Sequence, residues 1–298
     1  SYDWILVSSH LFAHHVTVRG QEDVPKLVYA HTPARYIWNP ELDSRGDTMP
    51  ARLASSVLKP LDRRRAQEAT AVAANSDYTA ARVRESWRRD AVTIYPPVDV
   101  EVIRAVPEWS SQLSAEDLQI LTSLPSEFLL GASRFVPYKR LDAVVAAGEA
   151  AGVPVVLAGR GPDHRALLAL AQASKVPVCI VESPSDELLR ALYQKSIAFV
   201  FPAIEDFGIM PIEAMAAGTP VIVPSEGGAA ESAMITGGGV LFEDEGVSDW
   251  VRAVDQASRI DRARLPAAAD MFSVSRFRSE IGSWLSSTVP TGVPLAGD

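Results

Sequence analysis

Short apolar runs alternate with helical stretches from about residue 128 onward, and this alternation most restricts how the chain folds. The runs are rich in Val, Ile and Leu without polar interruption, which is typical of strands buried on both faces of a parallel sheet. They read EFLLGAS, VPVVLAG, VPVCIVE, IAFVFPA, TPVIVPS and GVLFED. Because helices separate them, the pattern predicts a doubly wound α/β domain.

The first hundred residues repeat this pattern less completely. Strands are predicted in DWILVSS, KLVYAH and AVAANS, with helices over about 50–69 and 78–88. A Pro- and Ser-containing stretch with little strand signal then indicates a connection between two domains. We expect an N-terminal Rossmann-like domain at 1–104, a linker at 105–126, a C-terminal Rossmann-like domain at 127–272, and a final amphipathic helix with a disordered tail at 273–298.

Length and composition agree with two α/β domains and exclude several functions. The 298 residues suffice for two cores, and 47% hydrophobic with 22% charged residues is typical of a soluble globular protein. A net charge of −9 argues against general nucleic-acid binding, although it leaves room for a local phosphate pocket. The single cysteine, Cys179, cannot form an internal disulfide, which favours a reducing cytoplasm.

Unusual residues occupy the loops that follow four of the apolar runs, where ligands of open α/β sheets bind. Cations and helix N-termini in such loops bind phosphate, and carboxylates accept from ribose or sugar hydroxyls. The loops hold Arg134 and Lys139; Gly161; Glu182 and Ser183; and the stretch EDFGIMPIE, which contains Glu205 and Glu213.

Taken singly, each of these residues has an ordinary structural interpretation. The Gly159-to-Pro162 segment lacks the third glycine of a dinucleotide fingerprint and reads as a plain turn. Arg134 and Lys139 would be surface charges. Glu213, placed in the first turn of its helix, would only complement the helix dipole. Their recurrence in corresponding loops favours a binding site.

Other chemistries find little support in the sequence. The five histidines, His10, His14, His15, His31 and His164, do not pair with Cys or acids at a recognised zinc spacing. No Gly-x-Ser-x-Gly elbow and no Asp-x-Asp pair is present, so we predict neither a resident metal nor a cofactor. Any bound phosphate would be neutralised by Arg, Lys and backbone dipoles.

The stretch EDFGIMPIEAMAAGTPVIVPSEGGAAE resembles the Glu-x7-Glu signature of the retaining glycosyltransferases of family 4. GASRFVPYKRLD, LAGRGP, YPPVDV and ANSDYTAARV resemble further blocks in family order, and YAHTPARYIW resembles a bacterial branch many of whose members use GDP-mannose. The resemblance implies a GT-B architecture, in which two Rossmann-like domains face each other across a cleft. It further implies an enzyme, in the cytoplasm or at the inner membrane face, that moves a sugar from a GDP- or UDP-linked donor to a glycan or lipid-linked acceptor.

The same resemblance implies a role for each candidate residue. Arg134 and Lys139 would hold the diphosphate, with the backbone N–H groups of Phe207, Gly208 and Ile209. Glu213 would bind the ribose and Glu205 the transferred sugar. Gly161, Glu182 and Ser183 would line the nucleotide side of the site. His31 would assist at the acceptor or anomeric centre, unless it merely satisfies a loop carbonyl.

Family members begin with a strand, a Gly-rich loop and a helix that have no counterpart before SYDWILVSSH. We therefore expect either that the sequence is a truncated form of an active enzyme or that its N-terminal domain is reduced and incomplete. Two rival functions stay open, a non-catalytic nucleotide-sugar-binding subunit and a nucleotide-sugar epimerase. Arg63, Arg64 and Arg65 would suit peripheral contact with an anionic membrane surface, or simply form a solvated helix face.

Overall fold

The structure is a computed structural model that describes residues 2–20, 23–39 and 49–289, with side chains in the last range from Ser55 onward. The chain divides into two compact units. The first unit comprises Ser1–Pro97 and Val274–Asp298, and the second comprises Val98–Ser273. Residues 290–298, for which a tail is predicted, lie outside the described residues.

The first unit contains a four-stranded sheet in which every neighbouring pair is parallel. Its strands, in spatial and chain order, are β1 (Ile5–His10), β2 (Lys26–Thr32), β3 (Ala71–Ala74) and β4 (Val92–Thr93). The helices between them are α1 (Arg35–Trp38), α2 (Met49–Ala66) and α3 (Asp77–Trp87). The three strands predicted from apolar runs are present, and the short β4 is added at one edge.

Local chemistry explains where α3 begins and ends. The Ser76 hydroxyl caps its first turn by accepting from the backbone N–H of Thr79 at 2.9 Å. The helix ends where Arg88 adopts a left-handed conformation, with φ of 55°. Its last residue, Trp87, is fully buried against Val28 and other apolar side chains of the sheet.

The last helix among the described residues, α13 (Val274–Thr288), returns to the first unit. The residues predicted for its apolar side pack on one face of the first sheet, against Leu27, Tyr29, Ala73 and Ile94. These residues are Phe277, Ile281, Trp284 and Leu285. The amphipathic pattern of α13 therefore reflects the sheet that it covers.

The second unit contains a six-stranded parallel sheet whose strand order is that of a Rossmann fold. Its strands are β5 (Leu129–Arg134), β6 (Val155–Arg160), β7 (Val178–Glu182), β8 (Ala198–Val200), β9 (Val221–Pro224) and β10 (Gly239–Phe242). They lie in the order β10-β9-β8-β5-β6-β7. Counted within the unit this is 6-5-4-1-2-3, so the predicted fold class, α/β with two Rossmann-like domains, is confirmed.

Two layers of helices cover the second sheet. One layer has α6 (Leu141–Ala151), α7 (His164–Ala173) and α11 (Val247–Ser258); the other has α8 (Asp186–Lys195), α9 (Ile209–Ala216) and α10 (Gly228–Thr236). The short α12 (Leu265–Ala268) packs against α9. Over the described ranges of both units, every helix is too short or too polar to traverse a lipid bilayer.

The stretch predicted as a linker, 105–126, is folded into the second unit. It follows α4 (Val100–Arg104) and contains a 3₁₀ turn at Trp109–Gln112 and α5 (Ala115–Ser123). Trp109 is buried, and its backbone N–H donates to Gln194 Oε1 at 2.8 Å. The sequence signal for structure is weak here because α5 is mostly exposed and buries only Leu121 among its own residues.

We expect Leu157→Ala to destabilise the second unit by about 2–5 kcal/mol, because it leaves a cavity in a close-packed core. Leu157 is fully buried in the middle of β6, between β5 and β7. Hydrogen–deuterium exchange would show faster exchange in peptides from β5, β6 and β7, with little change in peptides from β1 to β3.

The matched control is Leu168→Ala, which removes the same atoms from a side chain of α7 that is 41% exposed. It should leave the exchange pattern nearly unchanged. Equal effects of the two substitutions would contradict the placement of β6 at the centre of the core.

Candidate functional site

The strand order of the second sheet creates a crevice beyond the carboxyl ends of β5 and β8. These strands are hydrogen-bonded neighbours, although β6 and β7 lie between them along the chain. The loops that follow them therefore leave the sheet in opposite directions, and such switch points are where open α/β sheets bind ligands. Arg134 is the last residue of β5, Lys139 lies in the loop that follows it, and Glu205 lies in the loop after β8.

Lys139 and Glu205 form an ion pair across this crevice, between Nζ and Oε1. Lys139 is only 9% exposed, so its ammonium requires a partner in the folded protein. The rings of Tyr138 and Phe201 lie 5.4 and 5.3 Å from Nζ and add cation–π attraction. The two residues predicted to contact diphosphate and sugar thus contact each other.

Arg134 ends β5 and presents its guanidinium to solvent. Its Nη2 donates to the Tyr138 hydroxyl at 2.6 Å, which holds the side chain over the same loop as Lys139. The loop makes a 3₁₀ turn at Pro137–Lys139 and ends at Arg140 in a left-handed conformation, after which α6 begins. Two cations separated by five positions in sequence are therefore positioned by one short turn.

Glycines bring the loops after β5 and β6 into backbone contact. Gly159 and Gly161 have φ values of 142° and 154°, and a Cβ on either would clash with the carbonyl of Ser133 or Phe135. Hydrogen bonds then connect the loops, with the Asp163 N–H donating to the Phe135 carbonyl at 3.0 Å. Gly161 therefore has a close-packing requirement that a plain turn would not impose.

Glu182 ends β7 and Ser183 follows it with φ of 47°. The Glu182 carboxylate is exposed and contacts His164 Nε2 at 2.9 Å. The His164 ring in turn stacks on Phe135, with ring centroids 6.2 Å apart and planes 9° from parallel. His164 and Phe135, which the sequence does not single out, therefore connect the loops after β5, β6 and β7.

The N-terminus of α9 points into the same region. Gly208 precedes the helix with φ of 93°, and the helix starts at Ile209. The first N–H groups of a helix lack intrahelical acceptors and carry its positive dipole end, so they attract anions. Phe207 is buried and packs on Phe272 with ring centroids 5.9 Å apart, which anchors the segment before the helix.

A pair of glycines, Gly227 and Gly228, supports this segment from α10. A Cβ on Gly228 would clash with Asp206 and Phe207 backbone, and the Gly228 N–H donates to the Glu205 carbonyl at 2.8 Å. The sequence assigns these glycines no role, although the Gly-Gly dipeptide after β9 is a turn signal that marks them.

Glu213 lies one turn further into α9 than the sequence predicts. The helix begins at Ile209, so Glu213 is its fifth residue and its first turn contains no acid. The helix dipole acts on charges in the first turn, so it does not explain why Glu213 is an acid. Burial raises the pKa of Glu213, although Arg190 and a hydroxyl contact from Tyr193 at 3.5 Å favour the charged form.

His31 belongs to the first unit and lies near the carboxyl end of β2. Its Nε2 is 2.8 Å from the Ser8 hydroxyl, and its ring packs edge-on against Tyr29 with centroids 5.1 Å apart. Burial, with a smaller effect of His10, lowers the pKa of the imidazole below 6.5, so the ring is neutral at pH 7. Its observed partner is thus a strand hydroxyl rather than a loop carbonyl.

Apart from His31, the structure gathers the predicted residues at the carboxyl edge of the second sheet. They are Arg134, Lys139, Gly161, Glu182, Ser183, Glu205, Phe207, Gly208, Ile209 and Glu213. The edge combines two cations, a helix N-terminus and several carboxylates. Such a set can hold an anion and accept hydrogen bonds from neighbouring hydroxyl groups.

Comparison with known proteins identifies relatives of this chain. Residues 116–269 match the family model described as glycosyl transferases group 1. D-inositol 3-phosphate glycosyltransferase of Mycobacterium avium is 28% identical over 229 residues, which cover 73% of this chain and 52% of the relative. GDP-mannose-dependent alpha-(1-6)-phosphatidylinositol monomannoside mannosyltransferase of Mycobacterium tuberculosis is 29% identical over 207 residues, covering 64% and 53%. The matched part is thus about half the length of these relatives.

Solved structures with the same fold include Anabaena Alr3699/HepE in complex with UDP. It is 20% identical with a TM-score of 0.67, and the match covers 89% of this chain and 73% of that one. Sucrose-phosphate synthase from Thermosynechococcus elongatus is 19% identical with a TM-score of 0.68, covering 90% and 69%. At these identities the similarity establishes the fold.

Glu213→Gln should remove a pH-dependent loss of stability. Because burial raises the Glu213 pKa above 4.5, the folded protein retains a proton that the unfolded chain releases. Stability therefore falls as pH rises from 4.5 through the folded-state pKa. Gln cannot ionise, so we expect this variant to melt at the same or a higher temperature than the parent at pH 7 in thermal unfolding.

The control is Glu187→Gln on the exposed first turn of α8. Its melting temperature should follow that of the parent between pH 4.5 and 7. A Glu213→Gln variant that follows the parent over the same range would show that Glu213 carries no burial penalty.

Proposed function

The chain belongs to the glycosyl transferases group 1 family, and from this premise we propose that it is a retaining glycosyltransferase that uses a nucleoside diphosphate sugar as donor. The observation that supports this best is the Lys139–Glu205 pair beside the N-terminus of α9. A cation, a carboxylate and a helix dipole then meet at the switch point of a Rossmann sheet. That combination suits a ligand that joins a diphosphate to a polyhydroxylated sugar.

We assign the diphosphate to Arg134, Lys139 and the backbone N–H groups at Phe207, Gly208 and Ile209. Charge-assisted hydrogen bonds from such donors are about twice as strong as neutral ones. Lys139 is already buried and oriented, so little side-chain entropy is lost when it binds phosphate. Glu205, released from part of this pairing, is adjacent to the diphosphate and accepts from the hydroxyls of the transferred sugar.

We assign the nucleoside to the neighbouring part of the same edge. Glu213 accepts from the ribose hydroxyls, which explains why a carboxylate is kept in a buried position that raises its pKa. Gly161 allows the loop after β6 to lie close to the nucleotide, and Glu182 with Ser183 flanks the base. These residues lie in α9, at the end of β7 and in the loops after β6 and β7, at the carboxyl edge of the second sheet.

The proposed reaction is front-face substitution at the anomeric carbon. The bond between this carbon and the β-phosphate oxygen breaks with its electron pair moving to the phosphate, while the acceptor hydroxyl oxygen forms the new bond on the same face. The departing phosphate takes the acceptor proton. Arg134, Lys139 and the α9 dipole stabilise the charge that grows on the leaving group.

We propose mannose from GDP-mannose as the sugar and a glycan or lipid-linked molecule as the acceptor, in cell-envelope polysaccharide synthesis at the inner face of a bacterial membrane. The names of the relatives support this choice, since one is a GDP-mannose-dependent mannosyltransferase of Mycobacterium tuberculosis and another is the Salmonella typhimurium O-antigen chain mannosyltransferase RfbU. Anabaena Alr3699/HepE was solved with UDP, so UDP-sugars are the alternative donors to test.

A thermal-shift panel of GDP-mannose, UDP-glucose and ADP-glucose identifies the donor. The true donor stabilises the protein by about 2.7 kcal/mol at one hundred times its Kd, well beyond the others. Incubation of that donor with and without an acceptor then separates the functions. Transfer supports the proposal, appearance of an epimerised sugar without acceptor indicates an epimerase, and binding without turnover indicates a non-catalytic subunit.

Lys139→Ala should lower turnover of saturating donor at least tenfold, on the order of one charge-assisted contact to the leaving group. The measurement is release of nucleoside diphosphate at saturating donor and acceptor. Folding is checked by comparing melting temperatures without donor, since the substitution also leaves Glu205 without its ammonium partner.

The control is Lys175→Ala, which removes an exposed lysine that lies after α7. Its turnover should equal that of the parent. If Lys139→Ala folds and retains full turnover, Lys139 does not stabilise the leaving group.

A further inference from the structure

A second cluster of chemically active side chains lies in the first unit, separate from the residues assigned to the donor. His14 and His15 end the 3₁₀ turn Ala13–His15 that follows β1, and Asp62 lies on α2. Both imidazole Nε2 atoms converge on Asp62 Oδ1, His14 at 3.1 Å and His15 at 2.9 Å. The three ligand atoms lie within 4.8 Å of one another.

The spacing of these atoms also fits a metal ion, although His15 Nε2 and Asp62 Oδ1, 2.9 Å apart, form a hydrogen bond in the free protein. Ligands that bind zinc tetrahedrally at about 2.0–2.1 Å lie about 3.3 Å apart, close to the two distances observed. His14 Nε2 is fully buried but not directed for a hydrogen bond to Asp62, and no other partner for it occurs within the described ranges. A buried imidazole nitrogen that lies 3.1 Å from a carboxylate without a well-directed hydrogen bond is suited to act as a metal ligand.

Neighbouring groups hold each ligand in the orientation that metal binding requires. Asp62 Oδ2 accepts from the indole N–H groups of Trp38 at 2.7 Å and Trp87 at 2.8 Å, which leaves Oδ1 facing the histidines. His14 Nδ1 lies 3.3 Å from the Ser9 hydroxyl, and a proton on Nδ1 leaves the Nε2 lone pair free. In metal sites, the ligating side chains are commonly oriented by hydrogen bonds of this kind to neighbouring groups.

The surroundings also allow an ion to enter and to be tolerated. The His15 side chain is 23% exposed, whereas Asp62 is fully buried, so the cluster opens to solvent on the His15 side. Lys26 and Arg65 donate to the backbone carbonyls of His14 and His15 respectively, and both cations are paired with Glu68. Glu68 therefore partly neutralises the positive charge of Lys26 and Arg65, which weakens their repulsion of a bound metal ion.

We propose that His14, His15 and Asp62 form a binding site for a divalent transition metal, with zinc as the ion best suited to two imidazoles and one carboxylate. Three protein ligands leave the fourth tetrahedral position, on the side of His15, to water. The ion ties the turn after β1 to α2, and so fixes the segment that follows the carboxyl end of β1. The role is structural and does not depend on the donor site of the second unit.

Metal binding is tested on the full chain, freed of metal with a chelator and then titrated with ZnCl₂ or CoCl₂. We expect one zinc per chain after dialysis by elemental analysis, and a rise in Tm of about 5 °C at one hundred times the Kd, with no rise for MgCl₂. Cobalt should give the intense visible bands of four-coordinate Co²⁺. It should also quench tryptophan fluorescence, because two indoles contact Asp62.

His15→Gln should weaken zinc binding at least tenfold, because the ion then loses one of its three protein ligands. The position is partly exposed, so the variant should fold. His164→Gln is the matched control, since His164 lies in the second unit and contacts only one carboxylate, Glu182, among described acids. Asp62→Asn, which still accepts from both indoles, should lose zinc while keeping the tryptophan environment.

If His15→Gln does not fold, the zinc and cobalt measurements on the parent protein still decide the question. Absence of stoichiometric zinc and of four-coordinate cobalt bands in the parent would overturn the proposal and leave a hydrogen-bonded cluster. Equal zinc affinity of His15→Gln and His164→Gln would overturn it as well, because zinc would then bind elsewhere.

Discussion

The strand order of the second sheet is the constraint on which the candidate site depends. A six-stranded parallel sheet covered on both faces leaves its strand ends as the places where polar groups and ligands can meet. The chain builds β5, β6 and β7 in one direction and then returns to place β8 beside β5. The return separates two loops that would otherwise pack side by side, and the space between them lies where Lys139 and Glu205 meet.

The Lys139–Glu205 pair balances charge within the protein itself. A buried ammonium without a counterion costs several kcal/mol, and a carboxylate from the facing loop offsets this cost in the free protein. A diphosphate would supply the same negative charge from outside. If the diphosphate binds as proposed, the ion pair already holds the loops after β5 and β8 together, which lowers the entropy lost on binding.

Much of the second unit could be predicted because its signals are local. Each apolar run of the sheet is a contiguous stretch of sequence, and the loop residues that follow it lie at the same edge by the rules of parallel sheets. The sequence predicts Glu213 one turn too near the start of α9, because that start depends on Gly208 adopting a positive φ, which the residue pattern does not specify. The linker prediction differs from the structure for a related reason, since the burial of Trp109 depends on partners such as Gln194, 85 positions away.

The histidine cluster could not be predicted from spacing at all. His15 and Asp62 are 47 positions apart and meet only because α2 packs against the turn after β1. Zinc spacings that can be read from sequence place ligands within one turn or hairpin, whereas this cluster joins residues from two distant elements. Gly227 and Gly228 could be predicted in part. The Gly-Gly dipeptide is a turn signal in the sequence, but its close contact with the Glu205 backbone is not evident from the sequence.

The packing of α13 on the first sheet has a consequence for how the protein is made. The first unit is discontinuous in sequence, because the whole second unit, Val98–Ser273, lies between its two segments. During synthesis the side of the first sheet formed by Leu27, Tyr29, Ala73 and Ile94 lacks its cover until Trp284 and its neighbours are added. The second unit, being continuous, can complete its core while the first still exposes apolar surface to chaperones and to other chains. Loss of α13 would therefore leave exposed a sheet surface whose strands are synthesised long before it.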